Sequence, residues 1–312
     1  MIYYLVSGQH AYTMAEYLKH WAPELEQRVQ LVPYSALPKN PDLPTGGYVF
    51  SDLERLHAGQ RALLAGVADQ LARAEPASRI VNHPHRSLGR VELIRARHAT
   101  GANGFTCYAA TTVGEPWRYP VFVRRVREHS GSRSPLLRNR AAVDLAIASE
   151  MLAGAALDDV IVVEFMDTAD AGGIYRKYSA FRVGDRILPR HILFSRTWML
   201  RDADLLEPEQ RAEVFAYCTE NPHEQALLAV FDDAGIEYGR IDYAMKDGVI
   251  QVWEINTNPQ VVKPPDKYPA DTHHFHRAFA DRFAEAFATF DGPGGTRHRV
   301  RWALGSINAP SG

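Results

Sequence analysis

Residues 238–259 read Tyr-Gly-Arg-Ile-Asp-Tyr-Ala-Met-Lys-Asp-Gly-Val-Ile-Gln-Val-Trp-Glu-Ile-Asn-Thr-Asn-Pro, and their types and spacing point to metal chemistry. Apolar runs on both sides of Asp247-Gly248 predict two antiparallel strands joined by a tight turn. Side chains two apart on a strand share a face, so Arg240 points with Asp242, and Ile250 and Val252 point with Glu254 and Asn256. Two carboxylates and a carboxamide form a hard oxygen donor set. Such a set suits Mg²⁺, which is held by few protein groups together with substrate phosphates. The plainer alternative is solvated acids paired with a nearby arginine. Against it, Glu254 and Asn256 end an apolar strand, where a buried carboxylate needs a partner or a metal, and Pro259 stops that strand just beyond them.

This hairpin resembles that of the ATP-grasp superfamily. Locally it is most similar to D-alanine–D-alanine ligases, where Gly-Arg-(Ile/Val)-Asp precedes Glu-x-Asn-Thr-x-Pro. Here those motifs are Gly239-Arg240-Ile241-Asp242 and Glu254-Ile255-Asn256-Thr257-Asn258-Pro259. The resemblance implies an α/β chain, α+β in its nucleotide-binding part: an ATP-grasp fold behind an N-terminal parallel α/β domain. It implies ATP and two Mg²⁺ ions, with Asp242, Glu254 and Asn256 as metal ligands. It also implies a catalytic Arg240 facing the developing oxyanion, where a fixed cation stabilises charge that exists only in the transition state.

The same resemblance directs attention upstream. A cation on a strand before a glycine loop is expected to meet phosphate. Alternation leaves Arg124 and Arg125 open, and alignment with the usual Pro-hydrophobic-x-hydrophobic-Lys pattern favours Arg124, with arginine where relatives carry lysine. The loop that follows offers Ser130, Gly131 and Ser132, whose amides and hydroxyls could cover phosphates. The strand over residues 160–164 runs into Glu164, Phe165 and Met166, which match the adenine hinge that the family supplies through backbone groups, and Asp167 or Asp170 stands where the ribose hydroxyls are taken. In the basic segment 175–191, Lys177, Arg182 and Arg190 are the cations available to the γ-phosphate or an anionic substrate. The chain departs from relatives here, lacking the acidic residue and arginine expected near Lys177 and Ser179. After Pro259 the likeness to D-alanine–D-alanine ligases ends. Lys263 and Lys267 are then candidates for a substrate carboxylate. His273, His274 and His276 invite a metal reading, but Thr272 makes a good N-cap, and the segment reads more simply as a helix start.

These residues need elements to position them. Alternating strand-like and helix-like segments over residues 1–85 predict a small parallel unit. Ligands of such units sit at the carboxyl ends of the strands, which makes Ser7, Gly8, Gln9, His10, Ser51 and Asp52 candidates. An arginine-rich connecting helix is expected over 86–104, carrying Arg86, Arg90, Arg95 and Arg97. A small nucleotide-lid subdomain is expected over 105–184, a C-terminal subdomain with the metal site over 185–290, and a poorly ordered Gly-, Pro- and Arg-rich tail over 291–312.

The 312 residues are 46% hydrophobic with a formal net charge of −2. This is globular composition without a field that would attract nucleic acid or an anionic membrane. No apolar run approaches bilayer length, and the start lacks the pattern of a signal peptide. Two cysteines make neither a disulfide framework nor a metal spacing, so a cytoplasmic setting is expected. The expected activity is an ATP- and Mg²⁺-dependent ligase joining a carboxylate to an amine through an acyl phosphate. An amino acid or small peptide is expected as one substrate and a small carboxylate as the other, and a homodimer is the default assembly. The alternatives are an ATP-grasp kinase acting on a small molecule and a non-catalytic ATP-binding protein.

Overall fold

A computed structural model describes residues 1–112, 118–200, 205 and 207–302. Strands β1 (Ile2–Val6), β2 (Val29–Pro33), β3 (Asp42–Pro44), β4 (Gly47–Phe50) and β5 (Arg79–Val81) come first, and all but β3 form a parallel sheet in the order β2-β1-β4-β5. Every residue of β1 is buried, as expected of an apolar strand covered on both faces. Its alternate side chains enter different cores. Ile2, Tyr4 and Val6 pack with helix α1 (Tyr12–Trp21), which buries Met14, Tyr17, Leu18 and Trp21 at helical spacing. Tyr3 and Leu5 pack on the opposite side, where helix α3 (Ala58–Ala74) lies. A short helix, α2 (Pro23–Glu26), leads into β2.

Helix α4 (Arg90–Ala99) leads to a three-stranded antiparallel sheet of β6 (Cys107–Ala109), β7 (Val121–Arg125) and β8 (Val160–Glu164), in the order β6-β8-β7. Helix α5 (Arg140–Leu152) covers it, with Asn139 as N-cap accepting from the Ala142 amide. A four-stranded antiparallel sheet follows, of β9 (Tyr175–Val183), β10 (Arg186–Ser195), β11 (Tyr238–Lys246) and β12 (Val249–Asn256), in the order β10-β9-β11-β12. Helices α6 (Pro208–Glu220) and α7 (Glu224–Asp233) pack on one of its faces. Helix α8 (His273–Ala288) packs on the other, against Phe181 and Val183. The last strand, β13 (Arg297–Arg299), pairs with β3.

Three expectations change. A boundary after residue 184 would split the β9–β10 hairpin, whose strands pair continuously in one sheet apart from a single bulge, so β9 belongs with the C-terminal sheet. The tail is not uniformly loose, since residues 297–299 form a strand, while 303–312 lie outside the described residues. Ile250 and Val252 do not share a face with Glu254. A β-bulge shifts the register from Asp242↔Glu254 to Tyr243↔Val252, leaving Trp253 as an extra residue. Ile250 and Val252 therefore enter the core with Leu227 and Phe231 of α7, whereas Trp253 and Glu254 both face the opposite side.

Candidate active site

A cleft of about 400 Å³ opens between the three-stranded sheet and the bulged face of the four-stranded one. One end is aromatic and apolar. Trp198 packs on Phe122 with ring centroids 5.0 Å apart and meets Phe165 edge-on at 5.7 Å, and Trp253 stacks on Phe105 at 5.2 Å. Met166 and Leu200 complete this end.

The other end is charged. Asp242 and Glu254 stand opposite each other on β11 and β12. Asp242 Oδ1 accepts from the Ser179 hydroxyl at 2.7 Å and from Arg240 Nε at 3.1 Å, while Lys177 Nζ lies 3.9 Å from Oδ2. Burial raises the Asp242 pKa, but Arg240 and Lys177 outweigh it and hold the carboxyl below its usual range. Glu254 Oε2 accepts from Arg90 and, at 3.1 Å, from Arg124 Nη2; His129 Nδ1 is 3.6 Å from Oε1. Burial again opposes ionisation, and Arg90, Arg124 and His129 overcome it, so Glu254 titrates well below the normal glutamate range. Arg124 itself, buried beside Arg90, falls to about 10.

His129 reaches further. Its Nε2 lies 3.3 Å from Glu54 Oε1, so it bridges the N-terminal unit and the carboxylate hairpin. Desolvation alone would lower its pKa, but the two carboxylates raise it to about 9. Glu54 also accepts from the Thr257 hydroxyl at 2.6 Å.

No protein-family model matches the chain, and no curated protein matches its sequence. Among solved structures it is similar to the D-alanine–D-alanine ligase of Bacillus anthracis solved with ATP. The TM-score is 0.51 at 13% identity, over 92% of this chain and 97% of that one. It is also similar to the D-alanine–D-alanine ligase of Coxiella burnetii, with a TM-score of 0.50 at 13% identity over 93% and 94%. This chain has the ATP-grasp fold.

Within this fold, Arg240, Arg124, Ser130, Gly131, Phe165, Met166, Lys177, Asp242 and Glu254 line the cleft. Gly131 has φ +81°, a left-handed turn that favours glycine. Arg125 points elsewhere and pairs with Glu128 and Glu150.

Seven expected site residues lie outside the cleft lining. Ser132 donates to the Ser134 carbonyl at 2.6 Å. Glu164 turns its carboxylate away from the cleft to Tyr108 and the backbone of Thr106 and Arg118. Asp167 caps the Ala169 amide at 3.1 Å; Thr168 lines the cleft instead. Arg182 pairs with Asp232 on α7 at 2.6 Å, because alternation turns it to the α7 face. Arg190 is buried against α8. Lys263 is an exposed loop residue. The Asn256 side-chain oxygen accepts from the Asn258 amide at 2.8 Å, which fixes it at the end of β12.

A divalent cation here would therefore meet two carboxylates. Each turns one oxygen to a cation at longer range, Asp242 Oδ2 to Lys177 at 3.9 Å and Glu254 Oε1 to His129 at 3.6 Å. Two hard anionic oxygens fit a Mg²⁺ that takes its remaining ligands from phosphates and water. Among the described residues no cluster of three or more His, Cys, Asp or Glu side chains is placed to hold a metal, and this includes the histidines of α8.

Sequence reasoning missed several contributors. Arg90 is 4% exposed and donates to the Arg125 and Glu128 carbonyls as well as to Glu254. Its only sequence signal was an arginine on a helix expected merely to connect. His129 beside Ser130-Gly131 was visible as a titratable group in a glycine loop. Glu54, Trp198 and Ser179 had no local signal, since only tertiary packing brings them to the cleft.

Proposed function

We propose that this protein is an ATP- and Mg²⁺-dependent ligase that joins a carboxylate to an amine through an acyl phosphate. The observation that carries the proposal is a single cleft with a flat aromatic end and a charged end centred on Asp242 and Glu254. The aromatic end suits a purine, and the Met166 segment supplies its edge. At the charged end, Arg124 Nε is buried with no acceptor, and such an orphan donor is satisfied by a phosphate oxygen. Asp242 and Glu254 would hold Mg²⁺, and Asn256 could join them through the second lone pair of its side-chain oxygen. When bound, the ion would neutralise phosphate charge.

This chain's own residues have distinct parts to play. Arg124 and Lys177 position the triphosphate and offset its charge. The loop at Ser130-Gly131 covers the phosphates. A substrate carboxylate oxygen attacks the γ-phosphorus, ADP leaves, and an acyl phosphate forms. The amine then attacks the acyl carbon, loses a proton, and expels inorganic phosphate. Arg240, anchored to Asp242, faces the oxyanion of that second step. The fold resemblance to two D-alanine–D-alanine ligases supports this reaction class.

The test is ADP release with Mg²⁺ across libraries of carboxylates paired with amines, using Glu254→Gln as control. Turnover should require both partners and yield the coupled product, and the variant should lose roughly 10²-fold or more with an unchanged circular dichroism spectrum. A phosphorylated product formed with one partner alone would make the protein a kinase. Equal turnover by Glu254→Gln would remove the carboxylate pair from the chemistry.

A further inference from the structure

A second cavity, of about 330 Å³, lies in the N-terminal unit, and its lining shares no residue with the active cleft. The strand register explains its floor. Tyr3 pairs with Gln30 on one side and Tyr48 on the other, and Leu5 pairs with Val32. By alternation β1 and β2 present these rows to the side on which α3 lies. After β2 the chain makes the 3₁₀ segment Tyr34–Lys39 rather than an α-helix. That segment and the β3–β13 pair wall the cavity through Leu37, Leu43 and Arg297.

Its polar groups are unequally satisfied. Tyr3 and Tyr48 stack with ring centroids 4.9 Å apart. The Tyr48 hydroxyl donates to the Pro44 carbonyl. The Tyr3 hydroxyl has no hydrogen-bond partner among the described residues, although Tyr3 is only 9% exposed. A buried hydroxyl left without a partner is costly, and a ligand is one way to satisfy it. Burial raises the Tyr3 pKa and the nearby Arg297 opposes that rise, so the hydroxyl is a proton donor at neutral pH on the same side of the cavity as the guanidinium. Arg297 gives Nε to the Asp42 carbonyl at 3.2 Å and forms no ion pair among the described residues. The Asp42 carboxylate is already held by Arg299 in two bonds of 2.8 and 2.7 Å. One positive charge beside the Tyr3 hydroxyl is thus left without an anion.

We infer that this cavity binds a small apolar carboxylate, whose acid group meets Arg297 and the Tyr3 hydroxyl and whose hydrocarbon body lies over Leu5 and Val32. Both donors can serve one anion, and hydrogen bonds to an ionised acceptor are the strong ones. The volume stands at the low end of ligand pockets, which span about 300–1,000 Å³, and suits an acid with a single ring. The site is independent of the ligase reading, since it asks nothing of ATP, a metal, or Asp242 and Glu254.

The experiment titrates the full chain, without nucleotide or metal, with 3-phenylpropanoate, 3-phenylpropan-1-ol and acetate, read by isothermal calorimetry and saturation-transfer NMR. The phenylpropanoate should bind at one site. The alcohol lacks the charge and acetate lacks the apolar body, so each should bind at least about tenfold more weakly. Tyr3→Phe removes only the unpartnered hydroxyl, so it should leave urea unfolding unchanged while weakening the phenylpropanoate about tenfold. Arg297→Gln, at an exposed position, should weaken it about tenfold or more. Arg124→Met alters the active cleft and should bind the phenylpropanoate as the native chain does. Full affinity in either Tyr3→Phe or Arg297→Gln would overturn the site. Loss of binding in Arg124→Met would do so too, because the probe would then sit in the cleft. Equal affinity for acid and alcohol, or no binding of the phenylpropanoate with a Kd below about 10 mM, would also overturn it.

Discussion

Arg124 and Arg125 are chain neighbours with opposite surroundings. Arg124 is buried, touches Glu254, and has an unpartnered Nε, whereas Arg125 is clasped by Glu128 and Glu150 beside α5. The strand's alternation sets them on opposite faces, and the covering elements decide which face carries the cleft. Replacing Arg124 with Met should therefore reduce ADP release by roughly 10²-fold, whereas Arg125→Met should leave turnover near the native rate and lower stability by about 1 kcal/mol. Steady-state kinetics and urea titration of both variants check this. The reverse ranking would place the phosphate cation on the wrong side of β7. Burial pushes the thiols of Cys107 and Cys218 up to about 11, which keeps both protonated near neutral pH.

Strand irregularities set the site at the level of the elements. Strict alternation would have put Glu254 on the face of Ile250 and Val252, inside the apolar core with α7. The extra residue Trp253 turns the end of β12 over, so the apolar half is buried and the acidic half faces the cleft. The bulge at Arg190 acts likewise on β10. Close approaches matter as well. At Gly47, where β4 meets the end of α8, an added Cβ would lie 1.8 Å from the Phe290 carbonyl oxygen. Neither backbone can yield without moving its element, so Gly47→Ala should cost roughly 2–3 kcal/mol in urea unfolding. A change below about 0.5 kcal/mol, the range of ordinary surface substitutions, would show that this contact is looser than its geometry.

The N-terminal unit and the C-terminal sheet behave as one body at the scale of the whole molecule. One apolar cluster holds Ile2, Tyr4 and Tyr17 from the first unit together with Phe181, Tyr238 and Phe283 from the second. Polar contacts run beside it: Tyr4 and Thr13 both donate to Asn258, at 2.8 and 2.7 Å, and Asn82 donates to the Tyr238 carbonyl at 2.7 Å. Separating the units would expose this apolar surface and leave those groups unsatisfied. Urea unfolding followed by far-ultraviolet circular dichroism and by tryptophan fluorescence should therefore give coincident transitions, because Trp21 reports on the first unit and Trp198 and Trp253 report on the cleft. Two resolved transitions would mean that the shared core does not couple them. Among the described residues no helix is long and apolar enough to cross a membrane.

Taken alone, the sequence determined what depends on near neighbours. These are the parallel α/β start, the hairpin around Asp247-Gly248 and the glycine loop after β7, because periodicity and turn chemistry act over a few residues, whereas the pairing of Asp242 with Glu254 needed the bulge at Trp253. The tertiary structure decided which of several similar groups share a space. It brought Arg90 to Glu254 across 164 positions and set His129 between Glu54 and Glu254. It turned Arg182 away to α7, and it closed Asn256 onto its own strand end. Those outcomes rest on bulges and on packing between distant elements, and a bulge changes a side chain's face without leaving any mark in composition or spacing.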